Sequence, residues 1–325
     1  MEVYITVLLL SFAVTVLCAL VLLPILKKLK IGQMVRDDGP QSHLVKQGTP
    51  TMGGIIMAAG AIILTIGCYF YFARNNLEIA TKLFPFLFVT IGFGIVGFID
   101  DYIKLVLKNS KGLKPSYKMI GLLIVAVAFT LYLTSVAKIG TDIYIPFWKT
   151  SITLPILIYI PFAVLVMLAT TNAINLTDGI DGLSSSVTAI ILTTLSIIGI
   201  GRNIEEVGIF GSIMVGACLA FLIFNLHPAK VFMGDTGSLL LGGIVAALAL
   251  YLKMPLLLLI IAIVPIIETI SDIIQVTYYK KTKKRIFKMA PIHHHFELCG
   301  WNENKIVSVF TFVTLVFCIL GIVAV

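Results

Sequence analysis

Five aspartates carry the chemistry open to this sequence. Asp100 and Asp101 are adjacent, Asp178 and Asp181 lie three apart, and Asp235 follows Gly234. They stand in polar segments, FIDDYIK, NAINLTDGIDGL and FNLHPAKVFMGDTGSL, set between long apolar runs. One acid at the end of such a run is ordinarily a solvated charge. Five brought together would repel one another and call for a compensating cation. Oxygen donors without cysteine favour Mg²⁺ or Mn²⁺ over zinc, and Mg²⁺ commonly takes one or two carboxylates plus substrate phosphate oxygens.

Bases accompany the acids. Lys46 precedes GTPTMGG and Lys104 follows the Asp pair, and both are candidates for phosphate contacts. Acids that hold a metal beside bases that hold phosphate are the parts that phosphoryl transfer requires. His293, His294 and His295 lie in the segment PIHHHFEL. Hydrogen bonding to phosphate suits them, with a structural role as the plainer reading. Glu268, Asp272 and Gln275 follow Pro265 at spacings of four and three, on one helical face of an apolar run. Acids in such a place are either functional or buried for packing, and a proline kink there could open a groove for a lipid chain.

Other patterns exclude alternatives. Gly92 to Gly97 reads GFGIVG, but it sits in an apolar run with no preceding strand, so close helix packing explains it better than a dinucleotide. No GxxxxGK[ST] loop occurs, and the five cysteines show no metal spacing or disulfide framework. No nucleic-acid partner is expected.

The elements that must position these residues are membrane helices. Hydrophobic residues make up 59% of the chain and charged residues 12%, with a mean hydropathy of +1.05; soluble domains carry about 25% charge. The apolar runs are about 17–25 residues long, enough to cross roughly 30 Å of hydrocarbon as helix. The expected fold is all-α and polytopic, a single membrane-embedded domain over residues 1–325. About ten spans are expected, near 3–26, 52–73, 83–99, 117–136, 153–170, 184–201, 207–224, 237–252, 256–279 and 305–325. The first run lacks a basic leader and is followed by Lys27 and Lys28, which fits a retained span.

If the spans alternate, the loops after spans 1, 3, 5, 7 and 9 share one side. Of the 24 Lys and Arg, all but Arg74, Lys82, Lys138, Lys149, Arg202 and Lys253 fall in or beside those loops. Excess Lys and Arg marks the cytoplasmic face, so both termini should lie outside. The same five loops hold every polar motif named above, which puts the active site on the cytoplasmic face. The basic run Lys280 to Arg285 could also touch anionic membrane lipid.

These motifs resemble those of the polyprenyl-phosphate N-acetylhexosamine-1-phosphate transferases. That family has a DD pair, an NxxNxxDGxDGL loop and a GD pair before a later span, here Asp100-Asp101, Asn172 to Leu183 and Gly234-Asp235. Within it, SHLxKxGTPTMGG (Ser42 to Gly54) and PIHHHFEL (Pro291 to Leu298) are similar to the phospho-N-acetylmuramoyl-pentapeptide transferases. The resemblance implies UDP-N-acetylmuramoyl-pentapeptide and undecaprenyl phosphate as substrates, lipid I and UMP as products, and Mg²⁺ as cofactor. It implies a bacterial plasma-membrane enzyme of peptidoglycan synthesis, and a homodimer.

Residue by residue, the resemblance makes Asp235 the Mg²⁺ ligand and sets Asp100 and Asp101 beside the phosphates. Asp100 would be a base or a covalent nucleophile, and sequence leaves both open. Asn172, Asn175, Asp178, Gly179 and Asp181 would line the nucleotide side, with Phe232 as a stacking face for uracil. Lys46, Thr51, Lys104, Asn225, Ser238 and Gln275 would join the substrate pocket. His293 and His294 would contact phosphate or sugar, with Lys114 or Lys118 beside them. The rival readings are a sister enzyme that moves N-acetylglucosamine-1-phosphate and, more distantly, an ion-coupled transporter using Glu268 and Asp272.

Overall fold

The computed structural model describes residues 1–28, 48–107, 109 and 112–325. Lys46 and residues 42–47 of the SHLxKxG segment lie outside the described residues.

The chain opens with α1 (Glu2–Lys28), α2 (Gly54–Phe72), the short α3 (Leu77–Lys82), α4 (Phe84–Leu105) and α5 (Pro115–Leu131). A π-helical turn, Tyr132–Val136, extends α5. Next come α6 (Ile156–Thr177), α7 (Leu183–Gly201), α8 (Glu205–Asn225) and α9 (Gly234–Tyr251). The chain closes with α10 (Leu258–Ile261), α11 (Ile263–Thr282), α12 (Ile292–Leu298) and α13 (Glu303–Val323). Among the described residues, nine helices are long and apolar enough to cross a membrane, or ten if one bent pair counts as a span.

Three details depart from the expectation drawn from sequence. An antiparallel hairpin, β1 (Asp142–Ile145) and β2 (Thr150–Thr153), interrupts the all-α pattern between α5 and α6. Its DIYI and TSIT strands are rich in β-branched residues, which favour pleated backbone. The third span runs on to Leu105, so the Asp pair lies inside a helix rather than at its end. Asp100 and Lys104 pair one turn apart and support that extra turn. Finally, the ninth expected span bends by 82° where Pro255–Ile261 meets Ile263–Thr282, at Ala262 and not at Pro265. Pro265 instead sits in the first turn of α11, where a missing N–H costs little.

Helix α9 is the hub, buried along nearly its whole length, whereas α1 is mostly exposed. Lipid gives helices no hydrophobic reason to associate, so close packing through small residues must do so. A Cβ added at Gly97 of α4 would overlap the carbonyl oxygen of Asp235, and one at Gly54 of α2 would overlap the backbone of Gly237. The GFGIVG segment therefore brings α4 against the start of α9. That contact sets two of the acidic motifs side by side.

Candidate active site

The first turn of α9 is built around Asp235. Asp101, on α4, accepts the backbone N–H of Asp235 at 3.1 Å and that of Thr236 at 2.9 Å, and the Thr236 hydroxyl at 2.7 Å. These N–H groups have no partner within α9, so a side chain of α4 caps it. Asp235 itself projects into the site. Its Oδ1 accepts from Asn175 Nδ2 at 2.9 Å, and its Oδ2 accepts from Lys118 at 2.8 Å and Lys104 at 3.0 Å. Asn175 also donates to Ser238 Oγ at 2.7 Å. Asp100 is buried, ion-paired to Lys104, and accepts the Leu113 N–H at 2.7 Å.

Ligand oxygens of Asp100, Asp101 and Asp235 all lie within 4.8 Å of one another. Hard oxygen donors at this spacing suit Mg²⁺. Asp235 and Asp100 fit it best, because Asp101 spends its oxygens on α9. Lys104 and Lys118 offset the acids and offer charge to a phosphate.

The GTPTMGG segment is laced to this centre. Phe232 donates its N–H to Pro50 O at 2.8 Å, and Gly53 and Gly54 donate to the carbonyls of Phe232 and Met233 at 2.9 and 3.0 Å. Thr51 is buried there, and Phe232 is half-buried.

The turn between α6 and α7 carries the second acid pair. Burial, then the charges of Asp235, Asp101 and Asp181, push the Asp178 carboxyl well above the usual carboxylate range. Asp178 thus shares the field of the first cluster. Asp181 Oδ2 meets His227 Nδ1 at 3.0 Å and the Ala229 N–H at 3.1 Å, while its own N–H reaches Glu303 at 3.2 Å. Asn225 is buried, accepting from the Gly182 N–H and Ser185 hydroxyl and donating to Val231 O. Asn172 donates back to Leu168 O within its own helix.

The histidines come from α12. His293 is fully buried with Nδ1 3.0 Å from Glu268, and His294 Nδ1 is 2.6 Å from Glu297. His293 Nε2 lies against Gly179, where an added Cβ would overlap it. Gln275 holds residues 286 and 287 through three hydrogen bonds.

The structure therefore brings Asp100, Asp101, Lys104, Asn175, Asp235 and Ser238 into one hydrogen-bonded centre, with Asp178 close by. Gly179 joins His293 to it. Asp181 and Asn225 organise the neighbouring turn, and Gln275 stands on the α11–α12 connection. Three further residues enter. Lys118, not Lys114, reaches Asp235; Lys114 lies over Tyr117 at 5.9 Å. His227 and Glu303 gather at Asp181, and only the position of His227 inside FNLHPAK marked it in the sequence.

Comparison with known proteins agrees with this architecture. The description "Glycosyl transferase family 4" fits residues 83–253, and "Phospho-N-acetylmuramoyl-pentapeptide-transferase signature 1" fits residues 46–56. A phospho-N-acetylmuramoyl-pentapeptide-transferase of Clostridium botulinum is 48% identical over 98% of this chain and 95% of its own length. Those of Acetivibrio thermocellus and Clostridium perfringens are 48% and 50% identical, over 99% and 96% of this chain and 95% of each relative. At this identity across nearly the whole length, the chain belongs to the phospho-N-acetylmuramoyl-pentapeptide-transferase family of membrane transferases.

Proposed function

We propose that this enzyme transfers phospho-N-acetylmuramoyl-pentapeptide from UDP to undecaprenyl phosphate, giving lipid I and UMP, with Mg²⁺ as cofactor. The observation that carries the reading is Asp235, held by Asn175, Lys104 and Lys118 beside Asp100. Two cations and a carboxylate pair in one half-buried centre suit a diphosphate.

An oxygen of the lipid phosphate attacks the β-phosphorus of the UDP-sugar, and the bond to the α-phosphate oxygen breaks to release UMP. One pyrophosphate linkage replaces another, so no ATP is needed. A phosphate monoester has its second pKa near about 6 and is mostly dianionic at neutral pH. It needs no strong base. Such a dianion can attack directly, with no covalent aspartyl intermediate required. Mg²⁺ held by Asp235 and Asp100 would supply charge neutralisation at the diphosphate. Lys104 and Lys118 hold phosphate oxygens, and Asn175 and Ser238 orient Asp235. The turn from Asp178 to Asp181 and the face of Phe232 receive the nucleotide, with Asn172, Asn225, Thr51 and Gln275 around it; Lys46 is a phosphate contact expected from its sequence motif. His293 and His294 contact phosphate or sugar.

The Lys and Arg excess in alternate loops supports a site at the cytoplasmic face with both termini outside, and the family supports a bacterial plasma membrane as its place. A homodimer is the proposed assembly. Cys299 is an exposed free thiol in the basic last loop. An impermeant maleimide should reach it in inverted vesicles and not in right-side-out ones.

The test of the reaction is UMP release by the purified protein given both substrates and Mg²⁺. Turnover should need the lipid, Mg²⁺ and Asp235. Release with UDP-N-acetylglucosamine instead would move the chain to a sister specificity, and no release with either sugar would sink the reading.

A further inference from the structure

The geometry points to Glu268 as the positioning residue for His293 in the transfer reaction, a role that rests on the function proposed above. Glu268 and His293 are both fully buried, although they come from different elements. The 82° bend before α11 swings Glu268, less than two turns past it, against the start of α12. One oxygen, Oε2, lies 3.4 Å from the His293 backbone N–H and 3.0 Å from its Nδ1. Backbone and ring are thus held by the same atom. Oε2 already accepts the backbone N–H, and with Nδ1–H donating to the same atom Nε2 becomes the ring's open position.

Nε2 is buried and has no hydrogen-bond partner among the described residues. It lies against Gly179, beside Asp178 on the turn between α6 and α7. A ring that served packing alone would leave this nitrogen buried and unsatisfied, which native interiors rarely tolerate. A substrate oxygen brought to that turn would complete it. Glu268 lies behind the ring with no exposed atom of its own. It therefore acts through His293. His294 pairs with Glu297 of its own helix, whereas the Glu268 contact crosses between elements.

The full-length protein in detergent tests this by steady-state UMP release for wild type, E268Q, H293A and the double variant. E268Q keeps the shape of the side chain but makes a different hydrogen bond. It should lower kcat roughly 10- to 1,000-fold, with KM for the UDP-sugar and the unfolding temperature close to wild type. The double variant should be no slower than H293A alone, since a residue that acts through another loses nothing further. Gly179→Ala, which crowds Nε2, should show the same kcat loss. Wild-type kcat in E268Q, or losses that multiply in the double variant, would overturn the assignment. Spectra of ¹⁵N-histidine-labelled protein provide a readout independent of turnover. Wild type should show a hydrogen-bonded Nδ1–H that shifts in E268Q, and its absence overturns the dyad. If wild type released no UMP, the transferase reading would fail while the spectra still judged the dyad.

Discussion

The carboxylate of Asp101 accepts the backbone N–H of Asp235 at 3.1 Å, so a side chain of α4 holds the first turn of the helix that carries Asp235. The two acids are near neighbours with different work. Asp101 organises α9, and Asp235 faces Asn175, Lys104 and Lys118.

That division predicts two distinct phenotypes. Asp101→Ala removes a cap and leaves buried N–H groups unpaired, a loss of about 1–3 kcal/mol in stability. Asp235→Ala should cost less stability, because it relieves the repulsion among three acids. Both variants should lose UMP release. Thermal unfolding measured alongside turnover separates them. An inactive Asp101→Ala as stable as wild type would place Asp101 on the substrate instead.

Lys104 is shared by Asp100 and Asp235. Lys104→Met leaves those carboxylates facing one another, with Lys118 as their remaining cation among the described residues. The metal-free variant should therefore unfold at a lower temperature than wild type, and Mg²⁺ should recover more of the difference. Saturation to 100 times Kd would add about 2.7 kcal/mol by mass action. Equal Mg²⁺ gains in the two proteins would show that Lys104 does not stand in for the metal.

Much of this was legible in sequence, for identifiable reasons. Apolar runs of the length a bilayer demands announce spans, and nine of them are spans without a sharp bend among the described residues. The acids were legible because Asp beside Gly and Asn between such runs is costly without a purpose. Lys118 was harder to place because it lies inside α5, where a lysine reads as a span-flanking charge. The bend was misplaced because proline is the usual breaker, whereas Pro265 falls where α11 tolerates it. The partner of Glu268 was invisible for the same reason: spacing along one helix does not say which loop it will face.

Asp178 gives a pH-dependent prediction. Its carboxyl is raised first by burial and then by Asp235, Asp101 and Asp181. A folded pKa above the unfolded value of about 3.9 favours the neutral form in the folded state. The stability it contributes is whole below the unfolded pKa and is lost as pH rises through the folded one. Asp178→Asn has nothing to ionise. In EDTA the variant should unfold at a higher temperature than wild type at pH 8, with the gap closing toward pH 5. A gap independent of pH would remove Asp178 from the acid cluster.

The far end of the bundle provides a control. Tyr251 at the end of α9 donates to Glu206 at 2.6 Å, and Lys82 lies 3.4 Å from the same oxygen. Glu206 is 6% exposed, so it depends on these partners. Tyr251→Phe removes one of them and should cost about 1–3 kcal/mol of stability. Asp235 stands at the opposite end of α9, roughly 24 Å away at 1.5 Å per residue, and its geometry owes nothing to Glu206. Unfolding temperature should fall while kcat for UMP release stays within about twofold, well under the tenfold that 1.4 kcal/mol represents. A tenfold loss of kcat with unchanged stability would mean that α9 transmits the state of the Glu206 cluster along its length to the acids.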